Sequence, residues 1–539
     1  MADAFDFIVV GGGPAGCAVA ARLAEARPDW TIALIEAGPA KSGLASDVPL
    51  GMGQLVPVKS PRNYAYDTVP QAALNGRRGY QPRGRGLGGS SLINGMIYIR
   101  GQAEDYDGWQ RNELCHGWGF ADVLPFFKRA ENNERGADAF HGTGGPLNVA
   151  DLRSPNPLAA AFVEAAEQAG FPRNPDFNGP AQNGVGFYQV SQKGGSRFGA
   201  AKGYIGANPP KNLTVLTDTQ VMRVVFAAKR ATGVEILDGG KRKTIIARAE
   251  VIISCGAFGS PQLLLASGVG PAAHLREHGI TVIADSPDVG SNLQDHVDYT
   301  INRDLKSPEL FGLTFGVIAK LPRWWREYKR AGTGKLTSNV AESGGFFCTD
   351  PGSTRPDVQI HFTIAVVDDH GRNRHFATGY SVHTCVLRPK SKGTVRLASP
   401  DMRVAPLIDP NFFADRDDLA RMMRGVGLAY KILQAPAMAP YQGKPVYGSP
   451  FAEGAELEAL IRAHADTIYH PVGTCRMGGD PRAVLDPMLR VRGTEGLRVV
   501  DASIMPTLIS GNTAAPSAMI GERAAQFILQ SNTAAASAA

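Results

Sequence analysis

Hydrophobic positions along this chain fall in short unbroken runs separated by glycine-containing turns. Residues 5–10 form a continuous apolar run of the kind buried on both faces in a parallel sheet, and they lead into Gly11-Gly-Gly-Pro-Ala-Gly16. Residues 15–23, rich in alanine, predict a helix; Pro28 marks a turn; residues 31–35 predict a second buried strand that ends at Glu36. Together these make a βαβ unit. Residues 212–228 and 231–246 alternate in character and predict antiparallel strands. Residues 250–254 repeat the buried-strand pattern and precede a glycine turn and a helix over 261–266, with Ser260 and Pro261 as cap and first-turn residue. A further such run over 496–500 ends at Asp501 and leads to a last helix over 516–530, after which residues 531–539 are expected to fray.

The buried-strand units stand at both ends of the sequence, so the ends are expected to meet in one domain built from residues 1–153, 204–302 and 467–539. The chain is too long, at 539 residues, for one ordinary core. Residues 154–203 and 303–466 are left for an inserted substrate-binding or cap domain, with extended stretches at 357–367 and 380–387 as its sheet. The expected fold class is α/β (α+β overall): a Rossmann-like dinucleotide-binding domain carrying an insertion built on an antiparallel sheet.

Composition narrows the partners. A formal charge of +6 is small for this surface, and no Lys/Arg tract is interleaved with aromatics, so nucleic acid is not expected. The six cysteines are far apart and lack a C-x-x-C pair, which argues against a zinc site or any other metal and for a reducing compartment. The N-terminus enters a strand without a basic, then apolar, leader, and no run of about 20 apolar residues exists. The expected location is cytoplasmic, with one reservation. Residues 311–330 mix aromatics with basic side chains, and this stretch, centred on Trp324, reads either as a helix that roofs the substrate site or packs on the core, or as a peripheral contact with the inner membrane.

The candidate chemistry begins at Gly11, Gly13 and Gly16, which hold the G-x-G-x-x-G positions between a strand and a helix. Absent side chains, with Pro14 and Ala15 between, let a pyrophosphate approach the helix amides. Glu36, next to Ala37, lies where a carboxylate accepts bonds from ribose hydroxyls. These features do not choose between NAD and FAD. Two further loops of glycines and hydroxyls, at 84–98 and 256–270, look like cradles for a longer cofactor.

Four separated segments make the chain resemble a glucose–methanol–choline oxidoreductase: the first glycine motif with Glu36, residues 84–94, residues 256–270, and the C-terminal pair Tyr469-His-Pro-Val-Gly-Thr-Cys475 and Val500-Asp-Ala-Ser-Ile-Met-Pro506 with Gly511-Asn-Thr513. The resemblance implies FAD and oxidation of an alcohol by hydride transfer to the flavin. It implies His470 as the base and Asn512 as the second polar group at the substrate oxygen. An imidazole titrating near 6.5 can take the hydroxyl proton at neutral pH, whereas an amide can donate to an alkoxide but not deprotonate it. By the same resemblance Arg85, Leu87, Gly88, Ser91, Asn94, Gly95, Met96 and Ile97 belong to the cofactor loop, Val221 contacts adenine, and Asp501, Ala502 and Thr513 touch phosphates and flavin. Ile93 stands where some relatives carry a histidine that binds FAD covalently, so non-covalent FAD is expected. Substrate candidates are Glu342, His361 and Tyr469. The wording of residues 289–296 and 393–397 is similar to choline-dehydrogenase-like bacterial alcohol dehydrogenases, which points to primary aliphatic or polyether alcohols such as polyethylene glycol, ahead of choline or aromatic alcohols. The electron acceptor is read as a quinone-like carrier ahead of dioxygen. Flavin lyases and photodecarboxylases on the same fold remain the non-redox alternatives.

Overall fold

The computed structural model describes residues 3–538; Met1, Ala2 and Ala539 lie outside the described residues. The first sheet is seven-stranded. Its centre is β1 (Ala4–Val10), followed by helix α1 (Pro14–Ala26) and β2 (Ile32–Ile35), which lies parallel to β1. Every residue of β2 and the last four of β1 are buried, as a strand covered on both faces requires.

The segment 212–228, expected to be antiparallel, is divided. Leu213–Leu216 (β3) is the parallel neighbour of β2, and only Gln220–Ala227 (β4) turns antiparallel, against Arg230–Asp238 (β5). The stretches 231–246 and 250–254 are likewise redistributed. Lys241–Ile253 (β6) is one long strand whose first half pairs antiparallel with β5 and whose second half runs parallel to β1. Leu497–Val499 (β7) joins the end of β6 in parallel.

Helix α2 (Gly256–Ala266) starts five residues earlier than expected, so Pro261 sits inside it and Ser260 is not its cap. A proline at this position has no N–H for the carbonyl of Ala257. The hydroxyl of Thr474 donates to that carbonyl instead, at 2.7 Å, which makes the start tolerable. The last helix, α3 (Ala514–Ala538), takes in most of the tail expected to fray, consistent with the helix preference of its alanines. It packs along α1, with Gly521 lying against Ala15, so the two ends of the chain are neighbours.

The second seven-stranded sheet is antiparallel, in the order 444–445, Val297–Asp304, Gly379–Val386, Val358–Thr363, Ser343–Phe347 and Gly184–Phe187, with 466–467 also against Val297–Asp304. The stretches 357–367 and 380–387 supply two of these strands, and Val297–Asp304 crosses residue 302, where the first domain was drawn to end. Each sheet has its own apolar core. One cavity of about 970 Å³ is lined from both.

Candidate active site

The turn after β1 opens the cavity. Gly11 has φ +104° and no room for a side chain beside the carbonyl of Ser254, while a side chain on Gly16 would run into the carbonyl of Gly11. Helix α1 therefore starts close against the strand, with no side-chain cap and no acidic residue in its first turn. Gly11, Gly13, Pro14 and Ala15 line the cavity at that uncapped N-terminus, and Gly16 lies behind them in the packing. Glu36 and Ala37 line it from the end of β2. The Glu36 carboxylate accepts from the backbone N–H of Gly12 (2.9 Å), Gly38 (2.8 Å) and Gly86 (3.0 Å); burial pushes its pKa up and these amides pull it back.

The loop at 84–97 runs beneath. Ser91, Asn94, Gly95, Met96 and Ile97 line the cavity, and Val221 lines it from β4. Arg85, Leu87 and Gly88 do not. Arg85 donates to the Ala37 carbonyl (2.7 Å), Leu87 covers Gly12, and the Gly88 N–H donates to the Gly12 carbonyl (2.7 Å), so they brace the turn from outside. Asn94 accepts from Arg197 at 2.7 Å, and burial holds that guanidinium down to about 9. Asp501 accepts from the Gly256 N–H (2.9 Å), the Ser260 hydroxyl (2.5 Å) and the Ser503 N–H (2.8 Å), and it lines the cavity together with Ala502 and Thr513.

At the far end stand His470, Asn512, Tyr469 and His361. Asp295 holds the turn that presents His470: it accepts from the Thr467 hydroxyl (2.5 Å) and from the His470 backbone N–H (2.9 Å), while Tyr469 is bent to φ +77°. The imidazole of His470 is oriented by a partner that no motif announced. His296, fully buried, has Nε2 3.0 Å from the Leu387 carbonyl and Nδ1 2.9 Å from Nδ1 of His470. A carbonyl only accepts, so His296 donates through Nε2 and, when neutral, accepts at Nδ1. His470 must then donate from Nδ1, which leaves the lone pair on its Nε2. That Nε2 is 3.1 Å from Nδ2 of Asn512, whose own oxygen accepts from Gln359 at 3.2 Å. Burial, then the neighbouring His296 and His361, hold His470 well below the usual imidazole value; burial holds His296 down to about 4 and His361 down to about 3. All three rings are neutral at pH 7.

Glu342 does not belong to this site. It is 1% exposed, lines no part of the cavity, and accepts from the Asn156 N–H (2.6 Å) and the Ser338 hydroxyl (2.5 Å). It fastens the sheet to a neighbouring loop, so the substrate role expected for it is withdrawn. Arg83, half-buried and donating to the Tyr469 carbonyl at 2.8 Å, and His383, paired with Asp298 at 2.6 Å, line the cavity and were missed, because nothing in their local sequence marks them. Among the described residues no group of three or more His, Cys, Asp or Glu could hold a metal ion.

A turn of glycines against an uncapped helix, joined by a long cavity to an oriented imidazole, defines a dinucleotide-dependent oxidoreductase. Models of the GMC oxidoreductase family match residues 5–298 and 389–521. The chain is 44% identical to the alcohol dehydrogenase [acceptor] of Pseudomonas putida, covering 98% of this chain and 96% of that one. It is 40% identical to the mitochondrial choline dehydrogenase of Homo sapiens, covering 98% and 90%. Among solved structures, pyridoxine 4-oxidase from Mesorbium loti superposes with a TM-score of 0.85 at 30% identity, covering 97% of this chain and 98% of the other. The chain belongs to the GMC oxidoreductase family. It is an FAD-dependent enzyme that oxidises an alcohol, using a small-molecule substrate and an electron acceptor. The residues present fit that cofactor: the N-terminus of α1 is open to a pyrophosphate, and the cavity runs on to His470.

Proposed function

We propose that the enzyme oxidises a primary aliphatic or polyether alcohol to the aldehyde, with His470 as the base. The observation that carries the mechanism is the chain from the Leu387 carbonyl through His296 to His470, which puts the lone pair of the imidazole on Nε2, where it accepts from the Asn512 amide at 3.1 Å until a substrate hydroxyl takes that amide's place. An alcohol hydroxyl entering there donates its proton to Nε2. The amide of Asn512 then donates to the oxygen as negative charge grows on it, which favours departure of hydride from the carbinol carbon. Bound FAD supplies the hydride acceptor. Tyr469 and His361 border the same space and are read as substrate contacts.

Choice of substrate rests on what lines the rest of the cavity. The carboxylates that line it are Glu36 and Asp501, both held by backbone amides around the glycine turns. Towards its entrance the cavity is lined by Phe311, Val317 and Trp324, with Ile468 also in the lining, and the guanidinium groups of Arg83 and Arg374 line it as well. A quaternary ammonium would meet a guanidinium there and no carboxylate. An uncharged chain ending in a hydroxyl suits these walls.

In this reading residues 1–153, 204–302 and 467–539 bind FAD, and residues 154–203 and 303–466 form the substrate domain. FAD is held without a covalent bond, so acid precipitation should release yellow colour into the supernatant; colour kept in the pellet would contradict this. The acceptor is a quinone-like carrier in preference to dioxygen, and the enzyme is cytoplasmic and peripheral to the inner membrane. The deciding experiment is a panel of choline, short and long aliphatic, aromatic and polyether alcohols with a dye acceptor, with and without dioxygen. Aliphatic or polyether alcohols should show the highest kcat/KM and should bleach the flavin anaerobically. A preference for choline, or a flavin that stays oxidised, would overturn the assignment.

A further inference from the structure

The mouth of the cavity carries a surface that the reaction does not use. Phe315 is 94% exposed and Phe376 is 88% exposed, and a backbone bridge between Gly312 and Thr378 holds their two segments side by side. Leu313, Ile318, Leu321 and Trp325 are exposed as well, whereas Trp324 turns inward and lines the cavity. Leu313, Val317 and Leu321 from one segment, and Arg374 and His375 from the other, also line it. The exposed apolar ridge is therefore the rim of the entrance.

Cations surround this rim. Lys320, Arg323, Arg326, Lys329, Arg330 and Arg374 are exposed, and among the described residues none of them is in an ion pair; the nearby pairs are Lys335 with Glu309 and Arg372 with Asp369. The helix Leu321–Ala331 holds a single acidic residue, Glu327. Among the described residues no helix is long and apolar enough to cross a membrane, so any membrane contact by this helix lies along the surface. Adjoining exposed aromatics collared by unpaired cations match an anionic lipid interface, where the rings enter the headgroup layer and the cations meet phosphates. A second copy docked through the same patch would bring these like charges together, which disfavours self-association.

We propose that this rim docks on an anionic phospholipid bilayer, with Phe315 and Phe376 inserted, so that the cavity opens onto the lipid and a lipid-soluble alcohol enters without crossing water. The inference deepens the reading of a peripheral alcohol dehydrogenase and is measured apart from it. The FAD-loaded enzyme is floated with vesicles of phosphatidylcholine alone or mixed with phosphatidylglycerol, beside a Phe315→Ser, Phe376→Ser variant and an Arg323→Glu, Arg326→Glu variant. None of these four side chains lines the cavity, so dye reduction with a short water-soluble alcohol should be unchanged and reports correct folding. The expected result is binding to the mixed vesicles that weakens with salt and falls by about tenfold or more in each variant. No binding, or equal binding by all three proteins, would overturn the proposal. So would light scattering that shows a dimer which the serine variant converts to monomer. If dye reduction is absent while vesicle binding persists, the alcohol-oxidation reading fails and the docking surface stands.

Discussion

His470 and His296 divide one task between them. His470 offers the lone pair, and His296 decides which nitrogen carries it. Replacing His470 with alanine should leave FAD bound while alcohol-dependent flavin reduction, followed by stopped flow, slows by about 10³-fold or more. Retained reduction would remove the base from this position. His296 acts through His470, so His296→Leu should lower kcat by roughly 10²-fold with little change in KM. A positioning role also predicts that His296→Gln, whose amide oxygen can accept from Nδ1, recovers part of that loss, which restored volume alone would not do. In the unaltered enzyme the acid limb of the rate profile should lie below pH 6.5, because burial holds His470 down and a base there stays neutral above that pH. His470 was legible from its place in Tyr469-His-Pro, beside residues that a resemblance could carry over. The part played by His296 was not, since the two rings meet only through folding, across 174 positions of sequence.

The glycine turn after β1 was readable because its requirement is local. Strand, turn and helix must pass within contact distance, and only glycine allows it at Gly11 and Gly16. Gly16→Val should therefore give protein that no longer retains FAD, read as loss of the flavin-to-protein absorbance ratio; a yellow variant would contradict the packing described. Helix α2 shows the opposite case. Pro261 looked like a first-turn residue because proline is usually confined there, and a hydroxyl from residue 474 changed the outcome. Thr474→Val should leave the buried Ala257 carbonyl unsatisfied and lower stability by about 1–3 kcal/mol, seen as a reduced Tm with FAD still bound. Strand β6 was divided wrongly for a related reason. Its apolar pattern changes halfway, where its partners change from an antiparallel neighbour to a parallel one, although the backbone continues unbroken.

Packing the two sheets around one cavity buries ionisable groups that the isolated segments would leave in water. His296 and His361 are neutral in the fold but titrate near 6.5 once unfolded, so below that pH the unfolded chain takes up protons that the folded chain refuses. Their contribution is complete above pH 6.5 and is lost as the pH falls towards 4. Asp295, raised to about 7 by burial, works in the other direction: it favours the fold at acid pH and loses that contribution as the pH rises from about 4 to 7. With His470 also held down, three imidazoles are opposed by Asp295 and by Glu36, Asp105, Glu342 and Asp501, whose carboxyls burial likewise raises. Acidification from pH 7 to 5 should give a falling Tm where the imidazoles outweigh the carboxyls; a rising Tm would show that the buried carboxyls dominate.

The sequence by itself determined the βαβ unit, the glycine turns and the cofactor class and singled out His470 as the candidate base, because each depends on neighbours a few residues apart or on separated segments that agree jointly. Tertiary structure alone decided that Glu342 is a brace, that Trp324 faces the cavity while Trp325 faces out, and that His296 orients His470. Those outcomes depend on which distant strand or loop comes to lie alongside, and periodicity carries no record of that.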